Sequence, residues 1–247
     1  MIIKLNQQRD ISIPKAVLFD TDNTLYEYEP ANLAAIEAVF LKAKNLIGLD
    51  RTTFFKFYNL ARLQIKDNLH NTASSHSRLL YFQRMIELLG LKAKLLLALD
   101  FEQTFWRTFL ANAPLFPHVY EIIDLLKSHN ILIGVVTDLT AQIQLRKLTY
   151  YGLEDTFDAI VTSEEVGADK PDSKNFTLIL SKLKLSNMSD AWMIGDNPRA
   201  DIFGSKKLGA TTFQKIHKGI KVGQGEESPD FIFSNYNDLL ILIQSLL

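Results

Sequence analysis

The stretch Val17-Leu18-Phe19-Asp20-Thr21-Asp22-Asn23-Thr24-Leu25 constrains the fold more than any other part of the chain. An apolar run ends abruptly in two carboxylates at alternate positions. The run has the composition of a short buried strand. Alternate residues on an extended chain face the same side, so Asp20 and Asp22 point toward one place. Carboxylates this close repel unless a positive charge lies between them or one keeps its proton. Either arrangement is chemically useful, as a Mg2+ site or as a nucleophile paired with an acid. A plainer alternative is a polar turn in which Asp22 or Asn23 caps a helix.

Later strands end in the same way. Ile131–Thr137 is a continuous apolar run closing on Thr137-Asp138, and Ala191–Ile194 runs into Gly195-Asp196. Lys170-Pro171 follows Ala159–Thr162. Between these strands the apolar residues recur at helical spacing, giving helices over Val119–Ser128, Ala141–Tyr150, Lys174–Leu183, Asp201–Leu208 and Tyr236–Leu246. Ile2–Leu5, Thr211–Gln214 and Phe231–Phe233 complete the strands. Continuous apolar strands alternating with helices predict an α/β fold, a doubly wound parallel sheet covered on both faces. Ligands of such sheets bind beyond the carboxyl ends of the strands. The acidic, hydroxyl and ammonium groups at those ends therefore converge on one crevice.

From Pro30 to about Asn112 the pattern changes. Glycine is almost absent and the periodicity is wholly helical. Ala31–Ile47 is stopped by Gly48. A second helix is capped by Asp50 or Thr52 and runs to about His70. A third is capped by Ser74 or Ser75 and ends at Gly90, and Lys92–Ala111 is the fourth. This block is long enough for a small bundle inserted into the α/β domain. Residues 1–26 and 114–247 are expected to form the α/β core, and residues 27–113 an all-α unit.

Composition sets the outer limits. With 247 residues and 47% hydrophobic content the chain supports a real core. A net charge of −1 gives no footprint for nucleic acid or a membrane surface, so an anionic ligand must be held by local groups. Cysteine is absent, which excludes disulfides, thiolate nucleophiles and cysteine metal sites. Without an apolar leader or a membrane-length segment, a soluble cytoplasmic protein is expected.

The four strand-end motifs together resemble the haloacid dehalogenase-like superfamily, specifically its phosphatase branch. Phe19-Asp20-Thr21-Asp22-Asn23-Thr24-Leu25 is similar to that family's first motif, and Val136-Thr137-Asp138 to the second. Lys170-Pro171-Asp172 is similar to the third, and Gly195-Asp196 through Asp201 to the fourth. The helical insertion resembles the cap of the class that carries it between the first two motifs, on a Rossmann-like core. The resemblance implies that Asp20 attacks phosphorus to give an aspartyl-phosphate, and that Asp22 serves as general acid and then base. It implies Mg2+ held by Asp20, the carbonyl of Asp22 and Asp196. Thr137, the amide of Asp138 and Asn23 would hold the phosphate, Lys170 would balance charge, and Asp201 and Asn197 would sit behind the metal ligands. The dehalogenase branch lacks an acid at the position of Asp22, which favours phosphoryl transfer over carbon–halogen cleavage.

The expected activity is therefore a Mg2+-dependent phosphatase for a small phosphomonoester, either a phosphosugar or a nucleoside monophosphate. A phosphomutase resembling β-phosphoglucomutase and a non-catalytic binding protein on the same scaffold are the alternatives. Substrate choice is expected to lie in the cap, with His76 and Arg78 as candidate contacts. Taken alone, Thr137 reads as a cap of the following helix, Asp201 equally as a cap or first residue of its helix, Lys170 as a surface lysine, and His76 and Arg78 as residues of a solvated face.

Overall fold

In the computed structural model, which describes residues 1–247, Ala16–Phe19 (β2) is an interior strand of a seven-stranded sheet, with every side chain buried. The other strands are Ile3–Lys4 (β1), Leu132–Thr137 (β3), Ala159–Thr162 (β4), Ala191–Gly195 (β5), Thr211–Lys215 (β6) and Phe231–Phe233 (β7). Their order is β1-β7-β6-β5-β2-β3-β4, parallel throughout except for β1 against β7. The chain leaves β2, builds β3 and β4 on one side, then returns to place β5 on the other. That reversal makes the carboxyl end of β2 the switch point where such sheets open a crevice. The register sets Phe19 opposite both Val135 and Ile194, so Asp20 emerges just beyond the last paired row.

Helices cover both faces. Ser173–Lys182 (α8) lays Phe176 and Ile179 onto Leu18, Val136, Val161 and Met193, all fully buried. Gly134 permits this approach, because a Cβ there would lie 2.8 Å from Leu18 and 3.2 Å from Ile179. Val119–Ser128 (α5) and Tyr236–Leu246 (α10) pack together, with α5 also against β3. Trp192, Phe213 and Phe231 form a row of rings with centroids 4.7 and 4.8 Å apart.

The chain divides into two compact units, one of Met1–Glu27 with Leu115–Leu247 and one of Tyr28–Pro114. The second consists of Tyr28–Ile47 (α1), Arg51–Asn68 (α2), Arg78–Leu88 (α3) and Leu95–Ala111 (α4). Its core is aromatic: Phe54, Tyr58, Phe82, Phe101, Phe105 and Phe109 are all buried, their rings in edge, tilted and stacked contact. No helix in either unit is long and apolar enough to cross a membrane.

Several element boundaries differ from the sequence expectation. Helix α1 begins at Tyr28 and takes Pro30 into its first turn, where a missing N–H costs nothing. The third cap is Ser77, whose side chain accepts from Leu80 N, because Ala73–His76 forms a separate 3-10 turn. A short helix, Ser163–Val166 (α7), follows β4 directly; the Thr162 side chain caps it and Gly167, at φ 80°, ends it. The helix expected over Asp201–Leu208 is instead a wide π-type turn over Pro198–Phe203 followed by Gly204–Lys206 (α9). Asn197 starts that turn earlier, accepting from the amides of Arg199 and Ala200.

Phe176 is fully buried in the cluster between α8 and the sheet. Phe176→Ala should destabilise the protein by ~3–5 kcal/mol, the cost of a large unfilled core cavity, as measured by urea unfolding.

Candidate active site

Asp20 leaves the sheet with its amide donating to Ile194 O at 2.9 Å. The chain then turns tightly, the amides of Thr24 and Leu25 both donating to Thr21 O and Asn23 adopting φ 60°. Asn suits that left-handed conformation better than most residues. The turn fixes Asp20 with its side chain buried under the strand ends. Lys170 meets it there: Nζ donates to Asp20 Oδ1 at 2.7 Å, to Asp201 Oδ1 at 2.6 Å and to Val136 O at 2.9 Å. All three hydrogens of the ammonium are used, and the side chain is 2% exposed. The loop carrying it is pinned by Asp138, whose Oδ1 accepts from Lys170 N at 2.9 Å. The second oxygen of Asp20 has a weak donor, Thr24 Oγ1 at 3.4 Å.

Asp201 is neither a cap nor a helix-start residue. Its Oδ1 takes the lysine and its Oδ2 accepts from Asn197 N at 3.0 Å. Gly195 makes room for it, since a Cβ there would stand 2.5 Å from the Asp201 carboxyl group. Asn197 faces its own turn, as the cap described above. Asp196 is the next residue after β5, and burial with the neighbouring Asp201 and Asp20 charges pushes it up to about 8. Burial likewise raises Asp20 to about 7 and Asp138 to about 6, against the pull of Lys170.

Ligand oxygens of Asp20, Asp196 and Asp201 lie within 4.8 Å of one another. Three carboxylates against one ammonium leave a deficit of two charges, which one divalent ion makes up. Both oxygens of Asp201 are engaged by protein donors, so Asp20 and Asp196 are the carboxylates with oxygen to offer. The donor set is all oxygen, the chemistry of a hard cation such as Mg2+.

The helix after β3, Ala141–Tyr150 (α6), supplies two residues that the sequence reading did not single out. Gln144, fully buried, donates from Nε2 to Thr137 Oγ1 at 2.8 Å and to Asp138 O at 2.6 Å. Thr137 and Thr21 share a 2.8 Å hydroxyl contact, so Thr137 is held in a buried polar chain rather than capping α6. One turn on, Lys147 donates from Nζ to both carboxylate oxygens of Asp22, at 2.8 and 3.0 Å. The Tyr26 phenol also donates to Asp22 Oδ1. The available signal was a lysine in register with the buried positions Ile143 and Leu148, a place amphipathic helices give to apolar residues.

Asp20, Asp22, Asn23, Thr137, Asp138, Lys170, Asp196, Asn197 and Asp201 thus all belong to the α/β unit, at the carboxyl ends of its strands. His76 and Arg78 belong to the helical unit. Arg78 does not lie on a solvated face: it is 9% exposed, its guanidinium 5.1–5.7 Å from the ring centres of Tyr81, Phe105 and Trp106. It donates to His76 O at 2.6 Å and to the Tyr28 hydroxyl.

A profile of haloacid dehalogenase-like hydrolases matches residues 17–214. Ribulose-1,5-bisphosphate 5-phosphatase of Halopiger xanaduensis is 40% identical over 198 residues, covering 80% of this chain and 82% of that one. Glyceraldehyde 3-phosphate phosphatase of Methanocaldococcus jannaschii is 26% identical, covering 94% and 98%. Among solved structures, a 2-haloacid dehalogenase from Pseudomonas syringae superposes with a TM-score of 0.75 at 24% identity, covering 95% of this chain and all of that one. This last likeness is one of fold.

The raised carboxyl groups make the metal-free protein sensitive to pH in a definite direction. Above about pH 4 the folded state keeps protons that the unfolded state has released, on Asp138 up to about 6, on Asp20 up to about 7 and on Asp196 up to about 8. Stability must then fall as pH rises through that window, by about 1 kcal/mol per group per pH unit. Lys170, raised well above its ordinary value, adds stability that is lost only at much higher pH. In chelator, the melting temperature should drop by more than about 10 °C from pH 5 to pH 8, at ~2–4 °C per kcal/mol for a chain of this size.

Proposed function

The chain belongs to the haloacid dehalogenase-like hydrolases, and from that premise we propose that it is a Mg2+-dependent phosphatase releasing phosphate from a small phosphorylated sugar by way of Asp20. The observation that carries this reading is the Lys170 ammonium held on Asp20 Oδ1 amid three converging carboxylates. Once a bound cation joins Lys170 in holding Asp20 ionised, the carboxylate needs no general base to attack, and the site's task is to position it. Asp20, Asp196 and the Asp22 carbonyl would hold the ion, which when bound supplies charge neutralisation and polarises the phosphoryl group.

The protein groups divide the remaining work. Lys170 offsets the negative charge that gathers as Asp20 bonds to phosphorus. Thr137, the Asp138 amide and Asn23 receive the phosphoryl oxygens, while the first amide of α6 is already taken by the Glu164 carboxylate. Asp22 gives a proton to the departing sugar oxygen, and then takes one from the water that opens the aspartyl-phosphate. A departing halide needs no such proton, so Asp22 supports ester hydrolysis over dehalogenation. Asp201 keeps Lys170 aimed, and the Asn197 amide keeps Asp201 aimed. In this reading the helical unit is the cap, with His76 and Arg78 the residues to test for substrate selection. The relatives named as acting on ribulose-1,5-bisphosphate and glyceraldehyde 3-phosphate support a sugar phosphate over a nucleotide.

Phosphate release should be measured on pentose bisphosphates, triose phosphates and nucleoside monophosphates, with Mg2+, with EDTA, and with Asp20→Asn. The sugar phosphates should lead the ranking. EDTA should abolish turnover, and Asp20→Asn should lower kcat by a factor on the order of a thousand or more. Equal rates under all three conditions would rule the reading out, and transfer of the phosphate back to sugar instead of water would make the protein a mutase.

A further inference from the structure

Lys147 is the one deeply buried cation on α6, and the catalytic scheme above does not use it. Its side chain is 1% exposed, whereas its partner Asp22 is 31% exposed. A lysine with its ammonium withdrawn from water is strongly destabilising unless paired. Here it is paired in a bidentate manner, with Nζ 2.8 and 3.0 Å from the two oxygens of a single carboxylate. Asp22 therefore cannot turn about its terminal bond without breaking one of those contacts. The Tyr26 phenol adds a third fixed donor on Oδ1. The Tyr26 ring, whose centre is 5.8 Å from Nζ, packs on Tyr151 with centroids 5.3 Å apart, and Tyr151 follows the last turn of α6.

The placement of Lys147 along α6 is also informative. It lies three residues after Gln144, on the same helix face. Gln144 orients Thr137 while Lys147 orients Asp22, so one rigid helix spans the group that receives phosphoryl oxygens and the group that handles the proton.

We propose that Lys147 is a positioning residue for the acid–base carboxylate: it fixes the plane of the ionised Asp22, and when Asp22 carries the proton it delivers, the ammonium and the Tyr26 phenol stay on Oδ1 while Oδ2–H turns to the leaving oxygen. This rests on the phosphatase reading. It predicts a signature tied to the leaving group, because a good leaving group departs without a proton and a poor one does not. The two probes are p-nitrophenyl phosphate and glycerol phosphate, compared by kcat/KM, which reports the first transfer. Lys147→Met should lower kcat/KM for glycerol phosphate by about a hundredfold and for p-nitrophenyl phosphate by less than about tenfold. Asp22→Asn should show the same selectivity, and adding Lys147→Met to Asp22→Asn should cost little more, since the two act as one unit.

Should Lys147→Met fail to fold by its melting curve, Lys147→Gln keeps one donor and should show a smaller loss of the same selectivity. Uniform loss on both substrates, or none, would overturn the assignment. Selectivity in Asp22→Asn without selectivity in the Lys147 variants would sink the role of Lys147 alone. Wild-type protein inert toward both esters and toward the sugar phosphates of the panel would remove the phosphatase reading, and this proposal with it.

Discussion

The three hydrogen bonds of the Lys170 ammonium hold the strand ends of this fold together. One goes to Asp20 at the end of β2, one to the carbonyl of Val136 in β3, and one to Asp201 in the turn after β5. Each acceptor comes from a different segment, and the sheet register fixes how far each projects. An ammonium at 2% exposure is tolerable only with every hydrogen satisfied, and removing one partner of such a pair costs far more than the pair itself contributes. The lysine therefore reports on the whole arrangement: it is stable only where β2, β3 and β5 align.

The supporting contacts follow from that demand. Asp138 spends its carboxylate on the backbone amide of Lys170 instead of on a ligand, fixing the loop that would otherwise let the lysine drift. Gly195 is bare because the Asp201 carboxyl group occupies the space of its missing Cβ. Asn197 is bound twice, its side chain starting the π-type turn and its amide holding Asp201. The turn is wide because both Asp201 N and Ile202 N donate to Asn197 O, which brings Asp201 inward where a regular helix would carry it away. The backbone irregularity is thus what delivers the carboxylate to the lysine.

The parts of the fold with strong periodicity were legible in the sequence. β2, α5, α6, β4, β7 and α10 lie on the residues that pattern alone selects, because an apolar run or a 3.6-residue stripe needs no knowledge of its partner. The π-type turn at Pro198–Phe203 was not legible, since its width depends on the hydrogen bond between Asp201 and the Asn197 amide, and on Lys170 some thirty residues earlier. The strand-end acids were visible as a pattern. Gln144 and Lys147 were not, because a polar residue on a helix reads as solvent-facing until the buried partner is known. Arg78 shows the same limit from the other side, as its aromatic surroundings come from α3 and α4 together.

Charge balance connects folding to chemistry. The pocket gathers Asp20, Asp196 and Asp201 around one ammonium, and burial forbids water from settling the difference. Two remedies remain: protons on the carboxylates or a divalent cation among them. They compete for the same oxygens, so the acidity of Asp20 and Asp196 is set by whichever is present. A protonated Asp20 is a poor nucleophile and an ionised one is a good one. The same deficit that weakens the metal-free fold as pH rises is thus what would draw in a divalent cation, and the ion that repairs the fold would also free the carboxylate to react. Stability and reactivity are in this way set by one quantity, the uncompensated charge at the end of β2.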